Sequence, residues 1–285
     1  MNIILLCTSI SAAIIQNAFS NIFSKKYVKD KGDIYNFNFY THLVCVILFL
    51  ILAIKEQVSL FTVLLSIAFG FVTFLSFIFK QKALVLGPMH LTNLVVTSSM
   101  IIPALSGAVF FGEKFSIYKG IAILILIYFI FLSLKKSDDN EQKTNKKWLL
   151  YCIITFIAVG MIGILQKVHQ TSIHKDELSS FLAISFFMSM TIAAIMRKKS
   201  NKSAKIDKTS LILAVVGGVC TFANNYINLK LSGILPSQLF FPLVNGSVII
   251  MTSLISRFVF KEELTKRQTI GLIGGIASLI LICLV

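Results

Sequence analysis

The sequence predicts an all-α membrane protein, with ten transmembrane helices arranged as two inverted five-helix repeats. Three observations lead there. Of 285 residues, 56% are hydrophobic and 14% charged, and the mean hydropathy is +0.85, a balance foreign to a soluble domain of this length. Apolar runs near the roughly 20 residues a helix needs to cross hydrocarbon recur ten times. Finally, residues of the first half return in the second at a shift of 148 to 149 positions.

The spans follow in order. Residues 3–23 precede the first charge, Lys25, so they lack the basic stretch that opens a secretory signal and are read as a retained spanning helix. This span holds Gln16, Asn17, Ser20 and Asn21. The second, 34–54, carries His42. The third, 60–86, carries Thr73, Ser76, Lys80 and Lys82. The fourth, 89–111, starts after Pro88, places His90, Asn93 and Thr97 at i, i+3, i+7, and contains Pro103. The fifth is 117–134, and a polar connector, 135–147, leads to the sixth, 148–165. The seventh, 178–196, precedes a second connector, 197–209. The eighth, 210–234, gathers Thr221, Asn224, Asn225 and Asn228 and ends near Lys230. The ninth, 237–260, has Gln238, Asn245 and Thr252 every seven residues and contains Pro242. The tenth, 269–285, includes the pair Gly274–Gly275, read as a close helix contact.

The repeat is most visible where "GFVTFLSFIFKQKALVLGP" (70–88) falls on "GVCTFANNYINLKLSGILP" (218–236), matching Gly70 with Gly218, Thr73 with Thr221, Phe74 with Phe222, Lys82 with Lys230 and Pro88 with Pro236. One residue further out of step, Glu113 meets Glu262, Ser116 meets Thr265 and Ile121 meets Ile270. The offset of 148 also pairs His90 with Gln238 and Thr97 with Asn245. The two units are residues 1–140 and 141–285. Five spans per unit is an odd number, so the copies cross the bilayer in opposite senses, as in many secondary transporters. Glu113 and Glu262 then mark equivalent corners and are read as anchors, with Ser116 and Thr265 as caps of the helices that follow.

At these residues, the Ala-Leu-x-x-x-Pro of 83–88 and the corner "EELTKRQTIG" of 262–271, the chain resembles the drug/metabolite transporter superfamily, in particular its EamA-like ten-helix members. The first corner departs from the pattern, with Lys119 and Ala122 in place of Gln and Gly. The resemblance spans nearly the whole chain and implies a transporter fold. It leaves the substrate open.

Charge sets an expected orientation. The loops after odd-numbered spans hold 21 of the 27 Lys and Arg residues, and the basic side of a membrane protein is usually cytoplasmic, which puts both termini outside the cell membrane. The resemblance implies cytoplasmic termini instead; the charges are followed here. The net charge of +15 is thus topological and calls for no nucleic-acid partner.

Polar side chains at membrane depth face a partner or a cavity. The candidates for a substrate pathway are Gln16, Asn17, Asn21, Thr73, Ser76, His90, Asn93, Thr97, Thr221, Asn224, Asn225, Asn228, Gln238 and Asn245. Interhelical bonding is the competing use of each. Pro103 and Pro242 are candidate hinges, and His42 and His90 candidate proton carriers. Lys80, Lys82 and Lys230 are candidate anion-binding groups, although each is near enough to a helix end to snorkel. All twelve Asp and Glu lie in loops or at helix ends, which disfavours exchange of a proton and a cation at one buried acid. Phe residues offer an aromatic cage for a quaternary ammonium or plain lipid contact.

No catalytic constellation, cofactor motif or metal-ligand spacing is read, and the five cysteines, all within spans, are taken as small packing residues. The expectation is a secondary transporter moving a small polar or amphipathic organic solute, such as an amino acid or related metabolite, by alternating access. A proton or another ion would couple the movement, in a monomer or homodimer. An organic-cation carrier and a non-transporting membrane scaffold are the alternatives.

Overall fold

The structure, a computed structural model, describes residues 2–113, 117–134, 146–200, 206–258, 261 and 265–284. Among these, eleven α-helices follow one another: α1 (Asn2–Lys26), α2 (Lys31–Ala53), α3 (Leu60–Leu86), α4 (Met89–Thr97), α5 (Ile101–Phe110), α6 (Ile117–Leu134), α7 (Lys146–Thr171), α8 (Leu178–Lys199), α9 (Lys208–Ser232), α10 (Ser237–Phe258) and α11 (Lys266–Leu284). A 3-10 turn, Ser98–Met100, joins α4 to α5. Seven stretches are long and apolar enough to cross a bilayer, one of them running through α4 and α5 as Leu91–Phe110. Shorter apolar stretches, Gly120–Phe129 and Thr269–Ser278, lie in α6 and α11. Large apolar side chains such as Ile51, Leu64, Val109, Leu124 and Phe187 point outward, which suits a protein solvated by lipid.

The break in the fourth segment lies just before a proline. Pro103 carries no N–H for the carbonyl four residues back, Ser99, and its ring crowds that turn. The chain tightens there into the 3-10 turn. Pro242 sits six residues into α10, which stays one continuous helix. The sixth segment runs past its expected end at 165: α7 continues to Thr171, carrying Gln166 and Lys167 into the bundle. Their polarity ends the hydropathic run but not the helix.

Packing follows an exchange rule. The α2–α8, α6–α11 and α4/α5–α10 contacts pair each segment with its counterpart five segments on, while α1–α9 mirrors α7–α3 and α2–α9 mirrors α8–α3. The glycines matched in sequence show why. A Cβ on Gly70 would strike the Ser185 backbone carbonyl and Met188 Cβ in α8, and one on Gly218 would lie 2.8 Å from the Thr41 carbonyl in α2. Each glycine lets the third segment of one half close on the second segment of the other. Cys45 adds an Sγ contact, 3.3 Å, to the Gly218 carbonyl. Around these crossings, Phe49, Phe69, Phe181 and Phe186 form a fully buried core. Gly274 packs against the Phe129 ring of α6, in keeping with the close contact expected of that pair.

Carboxylates close helix ends across the halves. Glu56, in the α2–α3 loop, accepts from the backbone N–H groups of Ser179 (3.0 Å) and Ser180 (2.7 Å) at the start of α8. In return, Glu177 accepts from the Ser59 N–H and hydroxyl, both 2.8 Å, at the start of α3. Each satisfies donors that a helix N-terminus leaves open. Burial opposes ionisation of Glu177, yet the Ser59 N–H, the Thr62 and Ser59 hydroxyls and His174 outweigh it and hold the carboxyl down to about 2.

Candidate functional site

Segments of both halves meet around a cavity of about 180 Å³, walled by α1, α3, the α4–α5 break, α7, α9 and α10. Its size corresponds to about six waters at ~30 Å³ each. Of the expected pathway residues, Gln16, Asn17, Ser76, Thr97, Asn224, Asn225, Asn228 and Asn245 line it, with Lys80 and Pro103.

Three asparagines have their amide groups fixed in the same manner. Asn17 donates to the Ala13 carbonyl (2.8 Å), Asn225 to Thr221 (2.9 Å) and Asn245 to Phe241 (2.9 Å), each four residues back on its own helix. Each amide thereby has one of its two N–H groups engaged; the oxygens of Asn225 and Asn245 can accept from a ligand, while that of Asn17 accepts from Lys80. Asn224 and Asn228 also bind α1 to α9. Asn224 donates to the Ser9 carbonyl (3.0 Å), Ser9 Oγ donates to Asn228 Oδ1 (2.6 Å) and Asn228 donates to Asn224 Oδ1 (3.2 Å). These two residues therefore line the cavity and glue helices at once.

The other candidates lie elsewhere. Asn21, Thr73 and Asn93 are buried but are not lining residues, and Thr221 donates to the Gly217 carbonyl at 2.7 Å. Gln238 is buried at the start of α10. His42 is buried with Nδ1 3.0 Å from Ser189 Oγ, edge-on to Phe77 and Phe186 and off the cavity wall. The His90 side chain is outside the described residues, as are Ser116 and Glu262. Lys82 rests over the Phe79 ring, 4.8 Å from its centroid, and Lys230 is exposed. Of the three lysines, only Lys80 reaches the cavity, where its Nζ bonds Asn17 Oδ1. No carboxylate is among the described lining residues.

Several wall residues escaped the sequence reading. Gln166 fell outside the expected sixth span, and Val159, Ile162 and Gly163 of α7 carry no polar mark. A usable signal existed: Gly160, Gly163 and Gln166 recur every three residues on one face. That face receives the broken segment, since a Cβ on Gly163 would lie 2.7 Å from Pro103 Cγ and 3.1 Å from Phe241. Phe77, Phe240 and Phe241 give the apolar wall, the last two edge-on with centroids 4.9 Å apart.

A charge pair joins α7 to the corner that follows α5. Lys167, next along the chain from Gln166, meets Glu113 at 2.8 Å, with side chains 9% and 15% exposed. Lys167 also donates to the Ser232 carbonyl (3.0 Å) and Glu113 accepts from the Ser237 N–H (2.9 Å). Burial works against the Glu113 charge, but Lys167 and Ser237 prevail and keep its carboxyl below the ordinary range. Glu113 thus anchors the corner where the sequence placed an anchor. Lys25 makes a comparable bond in the first half, 2.7 Å to the Gly87 carbonyl.

Comparison with known proteins agrees with this architecture. The EamA-like transporter family matches twice, over residues 3–135 and 146–284. An uncharacterized protein of Haemophilus influenzae is 26% identical over 205 residues, covering 71% of this chain and 69% of that one. A solved crystal structure superposes with a TM-score of 0.70 over 99% of this chain and 96% of the other at 12% identity, a likeness of fold alone.

Proposed function

The chain belongs to the EamA-like transporter family, and from this we propose that it is a secondary active transporter. In this reading it carries a small polar or amphipathic organic solute, an amino acid or a related metabolite, across the cell membrane by alternating access. The observation that carries the reading is the cavity, lined by the first, third and fourth segments of both halves and furnished with carboxamides and phenyl rings. A site shared between two similar packings can be uncovered on either side as one half rocks against the other.

The same reading takes the chain as ten spans in two inverted units, 1–140 and 141–285. The exchange rule in the packing supports it, as does the doubled family match. The basic loops support a topology with both termini outside. Asn225 and Asn245 bind the solute's donors, and Phe240 and Phe241 cover its apolar part.

Reconstitution in proteoliposomes tests this. Replacing Asn225→Leu or Asn245→Leu is expected to slow solute flux about tenfold, the effect of losing a hydrogen bond of ~1.5 kcal/mol, with insertion and gel-filtration behaviour retained. If the wild-type protein moves none of a panel of amino acids, hydroxy acids, organic cations and sugar phosphates, transport itself is refuted.

A further inference from the structure

Resting on the transport reading, we propose that the cavity selects net monoanions, small carboxylates that carry a hydrogen-bond donor beside an apolar tail, and that Lys80 is the residue that binds the carboxylate.

Lys80 lies six residues before the end of α3, near enough to reach the interface by extending along the helix. It turns inward. Its Nζ meets Asn17 Oδ1 and lines the cavity, so an ammonium is kept at membrane depth opposite a dipole. A charge in this setting calls for a countercharge, and the described wall offers none. A carboxylate entering beside Asn17 completes the pair. Lys80 is the charged residue among the described residues of that wall, so a monoanion leaves the filled site neutral. A zwitterion leaves it positive, and a cation doubles the charge.

The opposite wall specifies the rest of the solute. The repeat places Asn228 where the first half has Lys80, and Asn224 where it has Ser76, so one side is cationic and the other carries only carboxamides. One N–H of each of the Asn225 and Asn245 amides is held by its own helix, which turns the carboxamide so that its oxygen remains an acceptor. Those oxygens can accept an O–H or N–H from the ligand. Phe240, Phe241 and Phe77 receive its apolar part. The complementary chemistry is a 2-hydroxy acid or an N-acylated amino acid, ahead of the free amino acid. The pattern opposes a quaternary ammonium, because the phenyl rings share their cavity with a fixed positive charge.

A series of equal shape and different charge tests this. The purified, detergent-solubilised protein is titrated with 2-hydroxy-4-methylpentanoate (monoanion), leucine (zwitterion) and leucinamide (cation), and binding is followed by thermal shift and isothermal titration calorimetry. Affinity is expected to fall in that order, with at least tenfold between the first and last. Lys80→Gln is expected to weaken the hydroxy acid at least tenfold and to level the series, and Lys80→Arg to preserve the order. Equal or stronger binding of leucinamide, silence of the whole series, or unchanged hydroxy-acid affinity in Lys80→Gln overturns the proposal. Should Lys80→Gln fail to fold, the wild-type ranking decides alone. Flux of a cation or neutral solute through wild-type proteoliposomes would sink the anion assignment and leave the transport reading standing.

Discussion

Glu113 and Lys167 show what a single pair does at this depth. Neither side chain is more than 15% exposed, so removing one partner strands the other. Glu113→Gln is expected to destabilise the protein by about 3 kcal/mol, the usual scale for breaking a buried pair, read as a lower melting temperature in detergent. Adding Lys167→Met should recover part of the loss, since the second change removes the stranded charge. Glu177 makes a pH prediction. Its carboxyl is held at about 2 against an ordinary 4.5, so its contribution is complete above about 4.5 and fades as the pH falls toward 2. Melting temperature should decline over that window, and Glu177→Gln should flatten the decline. The sequence marked Glu113 as an anchor because its motif recurs. It also marked the asparagines, whose polarity stands out in an apolar run. It did not settle Lys80, because helical spacing fixes the face a long side chain leaves from but not the direction its four methylenes take.

At the scale of elements, the glycines of the third and eighth segments and the break in the fourth carry the consequences. Gly70→Leu or Gly218→Leu would force a side chain into a backbone carbonyl of the other half and is expected to abolish recovery of monodisperse protein on gel filtration. Leucine at Gly217, where an added Cβ meets nothing within 4 Å, should be tolerated. The periodic runs placed most spans within a few residues, because apolar length is what a bilayer demands. They missed the end of α7, where Gln166 and Lys167 are polar but buried against protein rather than exposed to water. They also could not tell a broken helix from a bent one: Pro103 interrupts its segment and Pro242 does not, a difference set by the surrounding packing, with Gly160 and Gly163 admitting the displaced turn.

Across the whole molecule, the packing partners of one half are those of the other with the halves exchanged. The inverted reading makes Pro88 and Pro236 emerge on opposite faces. Single cysteines introduced at the exposed Leu86 and Ile234 into a cysteine-free background should therefore react with an impermeant maleimide from opposite sides of sealed vesicles. Labelling of both from one side would remove the inversion. The repeat was legible because a few residues of fixed geometry, two glycines and two prolines, survive at one offset. The cavity was only partly legible, since a third of its described wall is built of valine, isoleucine and phenylalanine, which look the same facing lipid or facing a solute.

The crossed caps at Glu56 and Glu177 reach further than local stability. Glu56 finishes α8 and Glu177 helps finish α3, so each half owns a helix terminus that only its companion completes. A gene severed between codons 140 and 141 should therefore yield fragments that are degraded when made singly. Produced in the same cell, they should co-purify through a tag on either one as a functional, non-covalent complex.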